Sequence, residues 1–230
     1  MSLRKLHPAL GFLRRLAENN DRAWFQAHKD EYDAVREQWL SEVDRLIARL
    51  AQHDPRASRL TARTAAYRIY RDTRFSPDKT PYKTYFSASF PVQGRRDERA
   101  GYYLQFDERL GEGGLYGGIY CLKPQDLRKL RQAIVDNIDE FREIVEAPDM
   151  RRLYGDGWVG PALKTVPKGW PKDHPEAALL RLKSYGKFHE LAPAFYSSPS
   201  WPEEAADMLV VMRPFVDFIN YSLDEPVGGW

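Results

Sequence analysis

The chain has 230 residues, a formal net charge of +2 and a mean hydropathy of −0.62. This length predicts a single domain over residues 1–230, either compact or made of two tightly fused lobes. Such a chain buries about 70% of its unfolded surface, enough to fold without disulfides. The single cysteine, Cys121, excludes an internal disulfide and favours a reducing, cytoplasmic location. No apolar run of about 18 residues is present, which excludes a membrane-spanning helix. The small net charge excludes strong overall attraction to nucleic acid or membrane, so an anion site must be local.

The N-terminal helical part is predicted over about residues 8–55. Leucines at helical spacing indicate a first helix over residues 8–19, and Asp21 is expected to cap a second helix. Apolar residues of the second helix recur every three or four positions and therefore share one face: Tyr32, Val35, Trp39, Val43, Leu46 and Leu50. This face is expected to lie in the core.

The sheet-forming part is predicted over about residues 64–123, where the apolar pattern changes to a period of two. The predicted strands are 67–71, 85–90, 102–106 and 115–122. Short connections between them favour antiparallel pairing over crossover connections.

The C-terminal helical part is predicted over about residues 124–223. Pro124 begins a helix whose apolar face extends to Val145. Asp173 fits a capping pattern before a short apolar stretch, and Pro214 is expected to kink the last helix. The order of helices, strands and helices predicts an α+β fold, in which a mainly antiparallel sheet is packed by N-terminal, central and C-terminal helices.

The first candidate site is a polar block over residues 68–83, which carries five cations and two anions. We expect its cationic side chains to converge on one anion, with Tyr82 adding a hydroxyl or a stacking face: Arg71, Arg74, Lys79 and Lys83. Asp72 and Asp78 are expected to orient these cations, or to act as acid–base groups. Two prolines make the loop rigid enough for a binding role.

The second candidate site is a cationic stretch over residues 164–174 that is expected to end at a helix N-terminus. Free backbone amides at such a terminus attract anions, and lysines nearby add positive charge. Lys168 and Gly169 are the candidate ligand-binding residues of this stretch. Because the two blocks carry similar chemistry, we expect them to line one cleft.

Other motifs do not predict a metal or cofactor site. The G-x-G-x-x-G match at residues 155–160 lacks the preceding strand that dinucleotide binding requires. The five histidines show no metal-binding spacing, so neither a metal nor a cofactor is predicted. The glycine-rich stretch 111–118 indicates close backbone approach, either by a ligand or by a packed side chain.

The first block reads R-D-x-R-F-S-x-D-K-x-P-Y-K, which resembles the hallmark of a widespread bacterial and fungal domain family of unknown function. The opening pattern from Phe12 to Tyr32 and the late block from Pro167 to Lys183 also resemble that family. The resemblance covers about residues 8–190. One departure is the Gly117-Gly118 pair, which follows Tyr116 where the family often has a proline. The resemblance implies no reaction and no catalytic residue.

The sequence therefore leaves four functions open. The first is binding of a small phosphate- or carboxylate-bearing ligand. The second is a hydrolase- or transferase-like enzyme that uses Asp72 or Asp78 as a base with Arg71 or Arg74 stabilising negative charge. The third is a nucleic-acid or protein adaptor, and the fourth is a structural role, in which the Arg–Asp pairs staple the loop to the sheet.

Overall fold

The computed structural model describes residues 6–91 and 98–224. Residues 92–97, which belong to the predicted sheet-forming part, lie outside this description, as do both ends of the chain. Two compact units are distinguished. The first comprises Met1–Phe90, Tyr103–Leu115 and Glu190–Asp207, and the second comprises Pro91–Tyr102, Tyr116–His189 and Met208–Trp230. The single domain over residues 1–230 stays a prediction.

The helices and strands confirm the predicted α+β class. The helices are α1 (Pro8–Glu18), α2 (Arg22–Ala27), α3 (Lys29–His53), α4 (Ala62–Ala65), α5 (Pro124–Asp136), α6 (Ile138–Glu146), α7 (Pro148–Tyr154), α8 (Ala177–Leu180), α9 (Trp201–Val210) and α10 (Arg213–Asp224). The strands are β1 (Phe86–Phe90), β2 (Gly101–Phe106), β3 (Gly114–Ile119) and β4 (Tyr185–Glu190). Short 3₁₀ turns occupy Pro55–Arg59 and Phe195–Ser197. The strands form one antiparallel sheet in the order β1-β2-β3-β4.

The second N-terminal helix was predicted as one element and is two. Asp21 caps α2 as predicted, since its Oδ1 accepts a hydrogen bond from the Trp24 amide at 2.9 Å. The chain then turns at His28, whose side chain stacks on Trp24 with 4.0 Å between ring centroids. The apolar face predicted for this helix lies on α3 and is buried throughout, as expected.

Three of the four predicted strands are present, as β1, β2 and β3. Residues 67–71 were predicted as a strand, but only Tyr70 forms an isolated antiparallel bridge, to Tyr82; Ala66, just before them, forms another to Ala88. β4 was not predicted, because its sequence, Tyr-Gly-Lys-Phe-His-Glu, lacks an apolar alternation. The predicted strand 115–122 is shorter, since β3 ends at Ile119 and Cys121 has a positive φ of 52°.

Two predicted C-terminal helices are each divided in the structure. The helix from Pro124 is interrupted at Asn137, where α5 ends and α6 begins. Pro214 does not kink a continuous helix: α9 ends at Val210, and Pro214 lies in the first turn of α10. This is a position where the missing proline amide leaves no helical hydrogen bond unmade. None of the described helices combines the length and the apolar composition needed to cross a bilayer.

Each unit has an aromatic core of its own. In the first unit, Trp39 of α3 contacts Phe86 and Phe106, and Phe106 also contacts Trp201. In the second unit, Phe141 packs against three rings of the same unit: Trp158, Phe215 and Phe218. Aromatic contacts of this kind bury large apolar areas and fix side-chain orientation.

The glycines of β3 serve packing within the second unit. A Cβ at Gly117 would lie 2.3 Å from the Met212 sulfur, and one at Gly118 would lie 2.1 Å from the Tyr185 carbonyl oxygen. Gly118 also has a φ of +128°. The space beside this strand is therefore filled by protein, so the packing reading of the glycine stretch holds for these two positions.

We expect Gly118→Ala to lower the free energy of unfolding by more than about 3 kcal/mol, because backbone strain and overpacking add at this position. The matched control is Gly11→Ala, in α1, where a Cβ meets no atom within 4 Å. That control should raise stability by about 0.5–1 kcal/mol, since alanine is the better helix former. Urea unfolding followed by circular dichroism measures both values, and equal stabilities would contradict the packing role of Gly118.

Candidate functional site

The first polar block forms a loop that is closed at its base by two backbone hydrogen bonds. The Arg71 amide donates to the Pro81 carbonyl at 2.9 Å, and the Lys83 amide donates to the Ile69 carbonyl at 2.8 Å. These bonds flank the Tyr70–Tyr82 bridge and join residues 69–71 to residues 81–83 in antiparallel pairing. Residues 72–80 therefore project as a loop from a short paired base.

The base of the loop is fastened to the N-terminal helices by Asn20. Its side-chain amide donates to the Tyr82 carbonyl at 2.9 Å, and its side-chain oxygen accepts from the Tyr82 amide at 3.1 Å. The Tyr82 ring stacks on Phe25 with 4.0 Å between ring centroids. Burial raises the pKa of the Tyr82 phenol. Residue 82 is thus fixed through both its backbone and its side chain.

Two adjoining clefts flank the base of the loop, and both are lined by residues of the first unit. The Tyr70 cleft has a volume of about 940 Å³, and its lining includes Asn20, Arg22, Gln26, Tyr70, Arg71 and Lys79. The Lys83 cleft has a volume of about 450 Å³, and its lining includes Arg71, Asp72, Asp78, Lys83, Tyr85 and Arg109. Arg71 and Tyr82 line both clefts, so six predicted residues lie in one region: Arg71, Asp72, Asp78, Lys79, Tyr82 and Lys83.

Arg71 is held by the loop that it helps to close. Its Nη1 donates to the Asp78 carboxylate and to the Thr80 hydroxyl, and it lies 3.3 Å from the Thr80 carbonyl oxygen. Asp78 also accepts from the Thr80 amide and hydroxyl, each at 2.9 Å. The Thr80 amide and the Arg71 guanidinium together hold the pKa of Asp78 at about 2. Asp78 is therefore an ionised group that positions Arg71.

Arg74 pairs with Asp72 two residues before it. Its Nε and Nη2 donate to the carboxylate at 3.0 and 2.7 Å, and its backbone amide donates at 3.2 Å. This pairing lowers the pKa of Asp72. Arg74 was predicted to join the other cations on one ligand, but it lines neither cleft, because its guanidinium is occupied by Asp72 within the loop.

The same Asp-x-Arg arrangement occurs at two other places in the described part of the first unit. Arg56 pairs with Asp54, and Arg109 pairs with Asp107, each through two guanidinium nitrogens and the backbone amide. The carboxylates of these two pairs are 0% exposed, whereas that of Asp72 is 60% exposed. We refer to the arrangement as the Asp-x-Arg clasp, and only the Asp72–Arg74 clasp displays both partners to solvent.

Lys83 differs from the other predicted cations of the loop. Within the described residues, its ammonium group has no carboxylate within 4.0 Å and no hydrogen-bond acceptor. It lies 5.1 Å from the centroid of the Tyr67 ring and 6.0 Å from that of Tyr85. Partial burial lowers the pKa of its ammonium group. Lys79, by contrast, donates to the Thr73 carbonyl at 2.8 Å.

Lys168 and Gly169 belong to the second unit, and the residues that line the two clefts all belong to the first. Both are exposed, and Gly169 has a φ of +107° with open space around it. The helix that follows, α8, has four residues, which is too short for an anion-binding terminus. Asp173 does not cap it, since the cap residue is Glu176 and the Glu176 amide bonds to His174 Nδ1 at 3.0 Å.

The two carboxylates do not have the environment of a general base. A catalytic carboxylate that works near neutral pH needs a raised pKa, usually through burial. Asp72 and Asp78 are both exposed, and their arginine and amide donors lower the pKa of each. This geometry favours a positioning role for both. Within the described residues, no group of three or more His, Cys, Asp or Glu side chains lies close enough to hold a metal ion.

Sequence reasoning missed several residues that line the clefts, among them Asn20, Arg22, Gln26, Tyr70 and Arg109. Arg109 could have been recognised from the sequence, because Asp107-Glu-Arg109 repeats the spacing of Asp72-Thr-Arg74. Asn20 and Arg22 lie some 50 residues before the loop in sequence. Their contribution depends on long-range packing, which a single sequence does not display.

These features define an α+β protein whose first unit carries two adjoining polar clefts around one loop. The chain belongs to the family described as conserved hypothetical protein (DUF2461), whose model matches residues 8–218. The match confirms the predicted membership of a domain family of unknown function. No curated protein and no solved structure matches the chain. The family description names no reaction and no ligand, so a functional inference has to come from the clefts themselves.

The two loop arginines should differ in their effect on stability. Arg71→Ala should lower the melting temperature by about 2–6 °C, as the loss of one or two part-buried hydrogen bonds does in a chain of this size. Arg74→Ala should shift it by less than about 1 °C, because exposed ion pairs contribute little. Differential scanning calorimetry measures both, and an equal or larger loss in Arg74→Ala would show that its clasp staples the fold.

Proposed function

We propose that the protein binds a small phosphate- or carboxylate-bearing molecule at the Lys83 cleft, where Lys83 and Arg71 contact the anion. The observation that supports this most strongly is the ammonium group of Lys83. It is partly buried and, within the described residues, has no anionic partner. Removing a charge from water without a partner is costly. A bound anion would supply the missing partner.

The remaining groups of the cleft fit the same role. Arg71 is part-buried and held by Asp78 and Thr80, so its guanidinium is already positioned. A positioned guanidinium loses less conformational entropy on binding and suits phosphate or carboxylate geometry. Tyr82, which is fixed by Asn20 and Phe25, forms part of the wall of the cleft. Lys79 lines the neighbouring Tyr70 cleft and Arg74 is exposed on the loop, and both stay in the proposal as further cations. Lys168 and Gly169 stay a separate prediction for the second block.

The alternatives are less well supported by this geometry. An enzyme that uses Asp72 or Asp78 as a base would have to overcome the lowered pKa of both groups. A staple accounts for Arg71, which ties the loop to itself, but leaves the Lys83 ammonium against two tyrosine rings with no counter-charge among the described residues. An adaptor that uses the loop as a basic patch is disfavoured because the aspartates neutralise Arg71 and Arg74.

We expect Lys83→Gln to weaken binding of inorganic phosphate or citrate, whichever the wild-type protein binds, at least tenfold, as the loss of one charge-assisted hydrogen bond does. Lys29→Gln is the matched control, since Lys29 lies on α3 and pairs with Asp33. Isothermal titration calorimetry of the full chain measures both affinities. The proposed site would be refuted if the wild-type protein bound neither anion. It would also be refuted if Lys83→Gln bound the anion as tightly as Lys29→Gln. A parallel Lys168→Gln variant tests the second block.

Anion binding should also depend on pH through Lys83. Because burial lowers the pKa of this ammonium group, the charge is lost at a lower pH than for an exposed lysine. Affinity for sulfate, which does not titrate in this range, should therefore fall as the pH is raised from 7 to 10. Lys83→Arg keeps its charge over this range and should remove the fall. A sulfate affinity that falls equally in both proteins would exclude Lys83 as the titrating group.

A further inference from the structure

We infer that the anion belongs to a nucleoside phosphate, whose base stacks on Tyr70 in the Tyr70 cleft. This inference rests on the proposed function and names the ligand class of the same site. Tyr70 is 55% exposed although it lies beside two buried rings, those of Phe25 and Tyr82. A small inorganic anion or an aliphatic carboxylate would make no use of this aromatic surface.

Tyr70 is a fixed surface. Its backbone forms the bridge to Tyr82 between the two hydrogen bonds that close the loop. Its ring forms a T-shaped pair with Phe25, with 6.1 Å between centroids, and is tilted against Tyr82 with 5.5 Å between centroids. These contacts hold the ring while more than half of the residue stays open to solvent. A ring held in this way is suited to stacking on a planar base, because little freedom is lost on binding.

Two side chains of α2 add polar groups to the same cleft. Arg22 and Gln26 are four residues apart on α2, so they lie on one face of this helix. Neither side chain makes a hydrogen bond to a described residue. A glutamine amide carries a donor and an acceptor side by side, which match the edge of a base. Arg22 adds a cation that is free to contact phosphate.

The size and charge of the Tyr70 cleft also fit a nucleotide. Its volume of about 940 Å³ is within the usual range for small-molecule sites. Three cations line it, Arg22, Arg71 and Lys79, against the single carboxylate of Asp21. Arg71 lines the Lys83 cleft as well. A phosphate bound at Arg71 would therefore lie where the two clefts adjoin, with the aromatic surface on one side and Lys83 on the other.

The same chemistry is offered by a free nucleotide and by a single strand of nucleic acid. Phe75 allows an experiment to distinguish a free nucleotide from a single strand. It is 93% exposed, lies outside both clefts, and has the Arg74 guanidinium 5.8 Å from its ring centroid. A strand passing over the loop would stack a further base on Phe75, whereas a mononucleotide in the Tyr70 cleft would not reach beyond that cleft.

The test compares AMP, GMP, CMP and UMP with ribose 5-phosphate by isothermal titration calorimetry of the full chain at fixed salt. We expect at least one nucleotide to bind about tenfold more tightly than ribose 5-phosphate, as one stacked base provides. Tyr70→Ala should remove this difference and leave the affinity for ribose 5-phosphate unchanged, while Tyr70→Phe should retain it. Tyr120→Ala, at an exposed tyrosine of the second unit, is the matched control and should change neither affinity.

The outcomes separate this inference from the function on which it rests. Equal, measurable affinities for the nucleotides and ribose 5-phosphate would overturn the inference and leave anion binding intact. Nucleotide binding that is insensitive to Tyr70→Ala would overturn the placement of the base. Absence of binding by every phosphate would overturn both. A second measurement uses a single-stranded oligomer of ten nucleotides. If Phe75→Ala loses affinity for the oligomer and keeps its affinity for the mononucleotide, the ligand is a strand. If Phe75→Ala and the wild-type protein bind the oligomer equally well, the ligand is a free nucleotide.

Discussion

Two backbone hydrogen bonds, between Arg71 and Pro81 and between Lys83 and Ile69, determine where the polar groups of the first unit lie. In an antiparallel pair, neighbouring side chains point to opposite faces. Tyr70 and Tyr82 therefore share one face of the pair, and Arg71 and Lys83 share the other. The backbone of residue 82 faces away from the pair, and the Asn20 side chain satisfies both of its polar groups. An aromatic surface and a cationic one thus arise from a single short base.

The Asp-x-Arg clasp shows how one local motif serves two purposes. An aspartate that accepts from the amide and guanidinium of the residue two positions later makes a compact, neutral turn. Where the carboxylate is fully buried, at Asp54 and Asp107, the arginine supplies the partner that a buried charge requires. At Asp72 there is no burial to compensate, since both partners are exposed. Desolvation cannot be the reason for that third clasp, which instead gives a defined shape to an exposed loop.

The sequence predicts the helices and strands whose apolar residues recur regularly. It does not predict features whose position depends on tertiary contacts. The buried face of α3 follows from residues spaced three or four apart, and Asp21 is recognisable as a cap from its residue type. The break at Asn137 occurs within a periodic stretch, so the period conceals it, and the break at His28 falls between the Asp21 cap and the first residue of the apolar face, Tyr32. β4 has no alternation to read. In the site, the sequence identifies the loop and its cations, but the role of Asn20 depends on packing across 62 residues of chain.

The net charge counted from the sequence overstates the positive charge that a ligand meets at this loop. Residues 68–83 carry an excess of three positive charges, yet Arg71 and Arg74 are each paired with an aspartate of the same loop. Paired cations present donors of fixed geometry and little net field, which suits recognition at close range better than long-range attraction. Among the described residues, the cleft cations without a carboxylate partner are Lys83 on one side and Arg22 and Lys79 on the other. Binding at this site would accordingly depend on a few side chains of fixed position. Asp78 holds Arg71 and Asp72 holds Arg74, and the lowered pKa of each aspartate keeps it ionised in this role.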